Sequence, residues 1–151
     1  MKILIVEDDL NKLNNLKKFI NTYFETKNIE IYIEIKHSYQ SGLDTILSNY
    51  YDLLLLDMSL PNFDIDDNND SGDPLSKAGE LILYEMDVMG ININTIIVTQ
   101  HDDFDGESLE SINDDYKNKF STFYIDYIFY NAIESDWEDE LKITLDGIIN
   151  D

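Results

Sequence analysis

The sequence predicts an α/β fold, a doubly wound five-stranded parallel sheet with helices on both faces. Three observations predict it. Short runs of Ile, Leu and Val recur along the whole chain. The stretches between them place apolar residues near a 3.6-residue period. The two patterns alternate, strand then helix, five times, as a parallel sheet with helical crossovers requires.

The elements follow in order. Lys2–Val6 reads as a buried strand, and Asp9 caps a helix whose apolar face is Leu10, Leu13, Leu16, Ile20 and Phe24. Ile29, Ile31, Ile33 and Ile35 alternate with polar residues, the period of a half-buried strand at a sheet edge. Ser38 starts a second helix with Leu43, Ile46 and Leu47 inward. Leu53–Leu56 is a continuous apolar run, read as a central strand covered on both faces. Asn62–Asp73 is an aspartate-rich stretch without apolar periodicity, read as an acidic loop insertion. Pro74 suits a first helical turn, with Leu75, Ala78, Ile82, Met86 and Met89 on the inner face and Gly90 as the stop. Thr95–Val98 and Thr122–Tyr130 are the fourth and fifth strands, with a helix over Ser108–Phe120 between them. A last helix over Ser135–Ile149 turns Trp137, Leu141, Leu145 and Ile148 inward.

Composition bounds the function. The length of 151 residues fits one domain over 1–151, large enough to form a core without disulfides. With no cysteine, thiolate nucleophiles and cysteine-ligated metals are excluded. The apolar runs are far shorter than the roughly 20 residues that span a bilayer, and no signal peptide is visible. A cytoplasmic protein without a membrane partner is expected. The net charge of −22 repels phosphate backbones, so nucleic acid is not an expected partner. Basic proteins and metal cations are the partners such a surface steers.

In an open α/β sheet, ligands bind beyond the carboxyl ends of the strands, where strand order reverses. The residues there are Glu7 and Asp8 after the first strand, Asp57 after the third, Thr99 after the fourth and Tyr130 after the fifth. If the first and third strands are neighbours, three carboxylates converge. Such a cluster is tolerable mainly around a cation, and an all-oxygen donor set selects a hard ion, Mg²⁺ first.

At these residues the chain resembles a CheY-like response-regulator receiver domain. The resemblance is carried by Ile3–Asp9, by Leu53–Asp57 with Met58-Ser59-Leu60-Pro61, by Ile96–Thr99 and by Asp126–Asn131. It implies the flavodoxin/CheY-like strand order 2-1-3-4-5. It implies Asp57 as phosphoacceptor, with Mg²⁺ held by Glu7, Asp8, Asp57 and the backbone carbonyl of Ser59. Thr99 would bond a phosphoryl oxygen, and Tyr127 would be the switch aromatic. The implied function is a stand-alone receiver in a phosphorelay rather than an enzyme with an external substrate. Its implied partners are a sensor histidine kinase or phosphotransfer protein and a downstream protein.

The pattern departs from the family in three places. The family's lysine at the end of the fifth strand is replaced by Tyr130-Asn131, and no lysine lies between Lys119 and Lys142. Slower phosphorylation, weaker switching or none is the expectation, and a pseudo-receiver that only binds proteins is the alternative. Gln100 follows Thr99 where the family often has a small residue, and His101 stands beside it. The 62–73 and 101–106 loops rim the pocket as lids or partner surfaces. A calcium reading of the first fails on Ser71 and Lys77, where an EF-hand needs Gly and Glu. A phosphatase of the aspartate-nucleophile kind fails on Ser59, where a second aspartate is required. Tyr116, Phe120, Tyr124 and Tyr130 lie on the part of the chain that often forms the family's partner surface.

Overall fold

The computed structural model describes residues 1–65 and 74–150. The expectations for Asp66–Asp73, solvated loop or calcium loop, lie outside the described residues. Five strands form one parallel sheet: β1 (Lys2–Val6), β2 (Tyr32–Lys36), β3 (Leu53–Leu56), β4 (Asn94–Thr99) and β7 (Tyr124–Phe129). Their spatial order is β2-β1-β3-β4-β7, so chain order reverses between β1 and β3. Two further strands, β5 (Asp103–Phe104) and β6 (Glu107–Ser108), pair only with each other.

The run Leu53–Leu56 shows why a central parallel strand has no polar alternation. Leu54 and Leu56 enter one core with α2 (Tyr39–Ser48), α3 (Ala78–Met89) and α4 (Leu109–Lys119). Leu53 and Leu55 enter the other core with α1 (Leu10–Thr26) and α5 (Asp136–Ile149). Successive side chains point to opposite faces, and here both faces are covered by helices. The edge strand β2 has one neighbour and is only half-buried.

Caps fix the helix entries. The Asp9 carboxylate accepts from the Lys12 amide at the start of α1, and Ser38 and Ser41 bond each other reciprocally at the start of α2. At the other end of α1, the Tyr23 hydroxyl donates to Asp146 of α5 over 2.7 Å, with Lys27 3.4 Å from the same oxygen.

Several sequence expectations are corrected. Leu10, Leu47 and Met89 lie on the solvent side of their helices, because the buried stripes are narrower than the apolar pattern. Pro74 and Leu75 are not helical: Leu75 and Leu60 exchange two backbone hydrogen bonds in an isolated bridge, which delays α3 to Ala78. The 101–106 loop is a hairpin turn, with Asp105 and Gly106 at φ 54° and 90° joining β5 to β6. Phe104 pins it to the core. Tyr116, Phe120, Tyr124 and Tyr130 are all buried, so they form core and offer no partner surface.

Truncating Leu54 to Ala removes a fully buried side chain from the central strand. It is expected to cost about 2–5 kcal/mol of unfolding free energy in urea melts, whereas Val88→Ala, on an exposed side chain, stays within about 0.5 kcal/mol. The Tyr23 hydrogen bond, then Lys27, holds the Asp146 carboxyl below its usual 3.8. A depressed acid stabilises above its unfolded value, and that contribution is lost as pH falls through the folded one. Acid titration of stability is therefore expected to be shallower below about pH 4 in Tyr23→Phe than in the parent; superimposable acid limbs would refute the tie.

Candidate functional site

The sheet ladders continue one residue past β1 and β3 at their carboxyl ends. The Glu7 amide donates to the Lys36 carbonyl over 2.9 Å, and the Asp57 amide donates to the Val6 carbonyl over 3.1 Å. These bonds hold Glu7 and Asp57 side by side at the point of strand reversal. Asp8 follows on the exposed side. One carboxylate oxygen from each of Glu7, Asp8 and Asp57 lies within 4.8 Å of the others. Glu7 and Asp57 are buried, Asp8 exposed.

The approach of α3 completes the floor. The Gly79 amide donates to the Met58 carbonyl over 2.9 Å. A Cβ on Gly79 would stand 2.8 Å from the Asp57 carbonyl oxygen and 3.1 Å from Met58 Cα. Only glycine allows the helix to meet the segment after β3 this closely. The Met58 amide in turn donates to Asp57 Oδ1 over 2.8 Å, fixing the carboxylate's rotation.

A residue that the sequence did not single out sits at the centre. Lys12, in the first turn of α1, is only 1% exposed. Its Nζ lies 2.5 Å from Glu7 Oε1 and 3.3 Å from Asp57 Oδ1, and donates to the Val98 carbonyl over 2.8 Å. Lys12 was legible only as a polar break beside Leu13 at the start of an amphipathic helix. The interruption carried no signal of its own.

Tyr130 does not face the carboxylates as a substitute donor. Its hydroxyl accepts from Asn15 Nδ2 over 2.8 Å, and its ring packs on Trp137 with centroids 5.1 Å apart. Thr99 is fully buried at the end of β4, and its Oγ1 accepts from the His101 amide over 3.2 Å. Tyr127 is half-buried beside the α2–α4 core. Asp8, Asp57, Ser59, Gln100 and His101 line a cleft of about 740 Å³ together with His37, Pro61 and Pro74. The β5–β6 ribbon is tied to the start of α3 at the rim, by Lys77 to Glu107 at 3.1 Å and Ser76 to Asp105 at 3.2 Å.

Burial first, and then the Asp57 charge, push the Glu7 carboxyl up to about 9, with Lys12 pulling the other way. Burial and Asp57 raise Asp8 as well. Glu7 Oε1 is a buried acceptor without an aligned hydrogen bond among the described residues, despite the nearby ammonium. No hydrogen bond reaches the Ser59 carbonyl among the described residues. With all three carboxylates ionised, which requires a cation to displace the proton that Glu7 otherwise holds at neutral pH, one ammonium leaves two formal negative charges. An oxygen-only donor set with that residual charge fits a hard divalent cation, and Mg²⁺ meets both conditions.

No protein-family model matches the chain. A CheY-like response-regulator receiver domain protein from Methanospirillum hungatei JF-1 superposes with a TM-score of 0.58 at 24% identity, covering 99% of this chain and 96% of that one. The chain has the fold of a CheY-like receiver domain. The receiver domain of the sensor histidine kinase PA1611 from Pseudomonas aeruginosa PAO1, solved with magnesium coordinated in its active-site cleft, superposes at 0.61. It is 16% identical, with 99% of this chain and 98% of that one covered. Among curated proteins, the chain is 29% identical to the Detocs response regulatory protein DtcB of Enterobacter cloacae, over 95% of this chain and 99% of that protein. It is 30% identical to the transcriptional regulatory protein CiaR of Streptococcus pneumoniae, over 83% of this chain but 47% of that regulator. No helix among the described residues is long and apolar enough to cross a membrane.

Replacing Gly79 by Ala must push the Asp57–Met58 backbone away from α3. The expected outcome is Mg²⁺ affinity, read by calorimetry, at least several-fold weaker than in the parent. Unchanged affinity would show that the close approach does not position the cluster.

Proposed function

We propose that this receiver domain accepts a phosphoryl group on Asp57, with Mg²⁺ bound beside it, as a response regulator in a two-component relay. The observation that carries the reading is the convergence of Glu7, Asp8 and Asp57 on an open cleft at the point of strand reversal.

The donor we assign is a phosphohistidine of a sensor kinase or phosphotransfer protein. An Asp57 oxygen attacks phosphorus and forms the O–P bond of an acyl phosphate. The N–P bond breaks, and its electron pair stays on the imidazole nitrogen, which takes up a proton. Glu7, Asp8, Asp57 and the Ser59 carbonyl are the groups we assign to hold Mg²⁺. When bound, the ion neutralises charge on the transferring group and its acceptor.

The Thr99 hydroxyl oxygen already accepts from His101, which leaves its proton to donate to a phosphoryl oxygen. Gln100 and His101 at the mouth set which donor enters. We assign Tyr127 to carry the change outward to a downstream protein partner. The reading places the chain in the cytoplasm and gives it self-modification without turnover of an external substrate. The magnesium-bearing neighbour and the full-length similarity to a response regulatory protein support it.

Incubation with acetyl phosphate and Mg²⁺ is expected to add one phosphate to the intact mass of the wild type and none to Asp57→Asn. Wild-type protein that gains no adduct, and whose spectra ignore beryllofluoride, would refute the reading.

A further inference from the structure

We infer that Lys12, reaching in from α1, supplies the phosphoryl-binding cation that this chain lacks at the end of its fifth sheet strand. The inference rests on Asp57 being the phosphoacceptor.

The chain has ten lysines and no arginine, and of the ten only Lys12 is buried. Burying an ammonium is costly unless it is paired and hydrogen-bonded. Helix stability does not explain its position, because a cation in the first turn opposes the helix dipole. What it meets is the acceptor itself. Nζ lies 3.3 Å from Asp57 Oδ1, within reach of oxygens added there, and is anchored on the Val98 carbonyl one residue before Thr99.

Tyr130 explains how the substitution is accommodated. Its ring centroid lies 5.9 Å from Nζ, close enough for a cation–π contact, and its hydroxyl is held by Asn15 of α1. The residue at the family's lysine position thus forms an aromatic wall beside the ammonium. It flanks a cation that arrives from the helix packed on the same face of the sheet.

The step is the transfer already written. As the N–P or acyl O–P bond of the donor breaks and the Asp57–phosphorus bond forms, the ammonium donates to a non-bridging phosphoryl oxygen and keeps its protons. Before transfer it offsets one carboxylate charge of the cluster. Removing it therefore has two opposite consequences. The cluster gains negative charge, so Mg²⁺ binds at least as tightly, while the phosphoryl group loses its cation.

The test compares wild type, Lys12→Gln, Lys12→Met and Asp57→Asn, with Mg²⁺ affinity by calorimetry and acetyl-phosphate labelling by intact mass. Thermal melts report folding. The expected result is a folded Lys12→Gln with Mg²⁺ affinity equal to or several-fold tighter than wild type and labelling at least tenfold slower. Lys12→Met serves the same comparison if the glutamine variant does not fold. Labelling within about twofold of wild type in either folded variant would overturn the inference. So would a parallel fall in labelling, Mg²⁺ affinity and melting temperature, the mark of a purely structural lysine. Wild type that takes no phosphate on Asp57 would remove the phosphoacceptor reading, and this inference with it.

Discussion

The structure of this site depends on charge balance at the carboxyl edge of the sheet. Neighbouring parallel strands β1 and β3 deliver Glu7 and Asp57 to one place with little room to separate, because each is held by a backbone hydrogen bond continuing its ladder. Two buried carboxylates in that geometry repel, and burial weakens their solvation. The Lys12 ammonium offsets one charge from within, and a divalent cation is suited to offset the remainder. Each partner solves half of the same electrostatic problem.

The layered packing makes that arrangement rigid. Leu53–Leu56 sends alternate side chains into two cores, so Asp57 is carried by a strand that is held from both faces. Helix α1 is seated through Leu13, Leu16 and Ile20, and that seating aims Lys12 at the strand ends. Gly42 plays the part for α2 that Gly79 plays for α3. A Cβ there would come 2.8 Å from a Val6 methyl, so the helix lies close on the strand that ends in Glu7.

Much of the fold was legible because period and burial agree. Four of the strand runs, the Asp9 and Ser38 caps and the three carboxylates lie where local patterning put them, while the second strand starts at Tyr32 instead of Ile29, whose amide closes the turn after α1 on Phe24. What remained hidden depended on contacts between distant segments. Leu10 and Leu47 belong to helical apolar patterns, yet the width of the buried stripe is set by the sheet beneath. Pro74 and Leu75 carry helix-start signals, and a two-bond bridge to Leu60 overrides them. Lys12 is the extreme case: a lysine in a helical first turn looks solvated until Val98, 86 residues away, supplies its carbonyl. The apparent defect at Tyr130 was visible in the sequence, but the lysine beside it came from another element.

The bond between Asn15 and Tyr130 has a consequence for how substitutions here combine. It joins the helix that carries Lys12 to the residue after β7, and the Tyr130 ring lies 5.9 Å from the Lys12 ammonium. Side chains in one network couple, so the effects of changing Lys12, Asn15 and Tyr130 do not add. A replacement of Tyr130 read by itself therefore reports on three side chains at once.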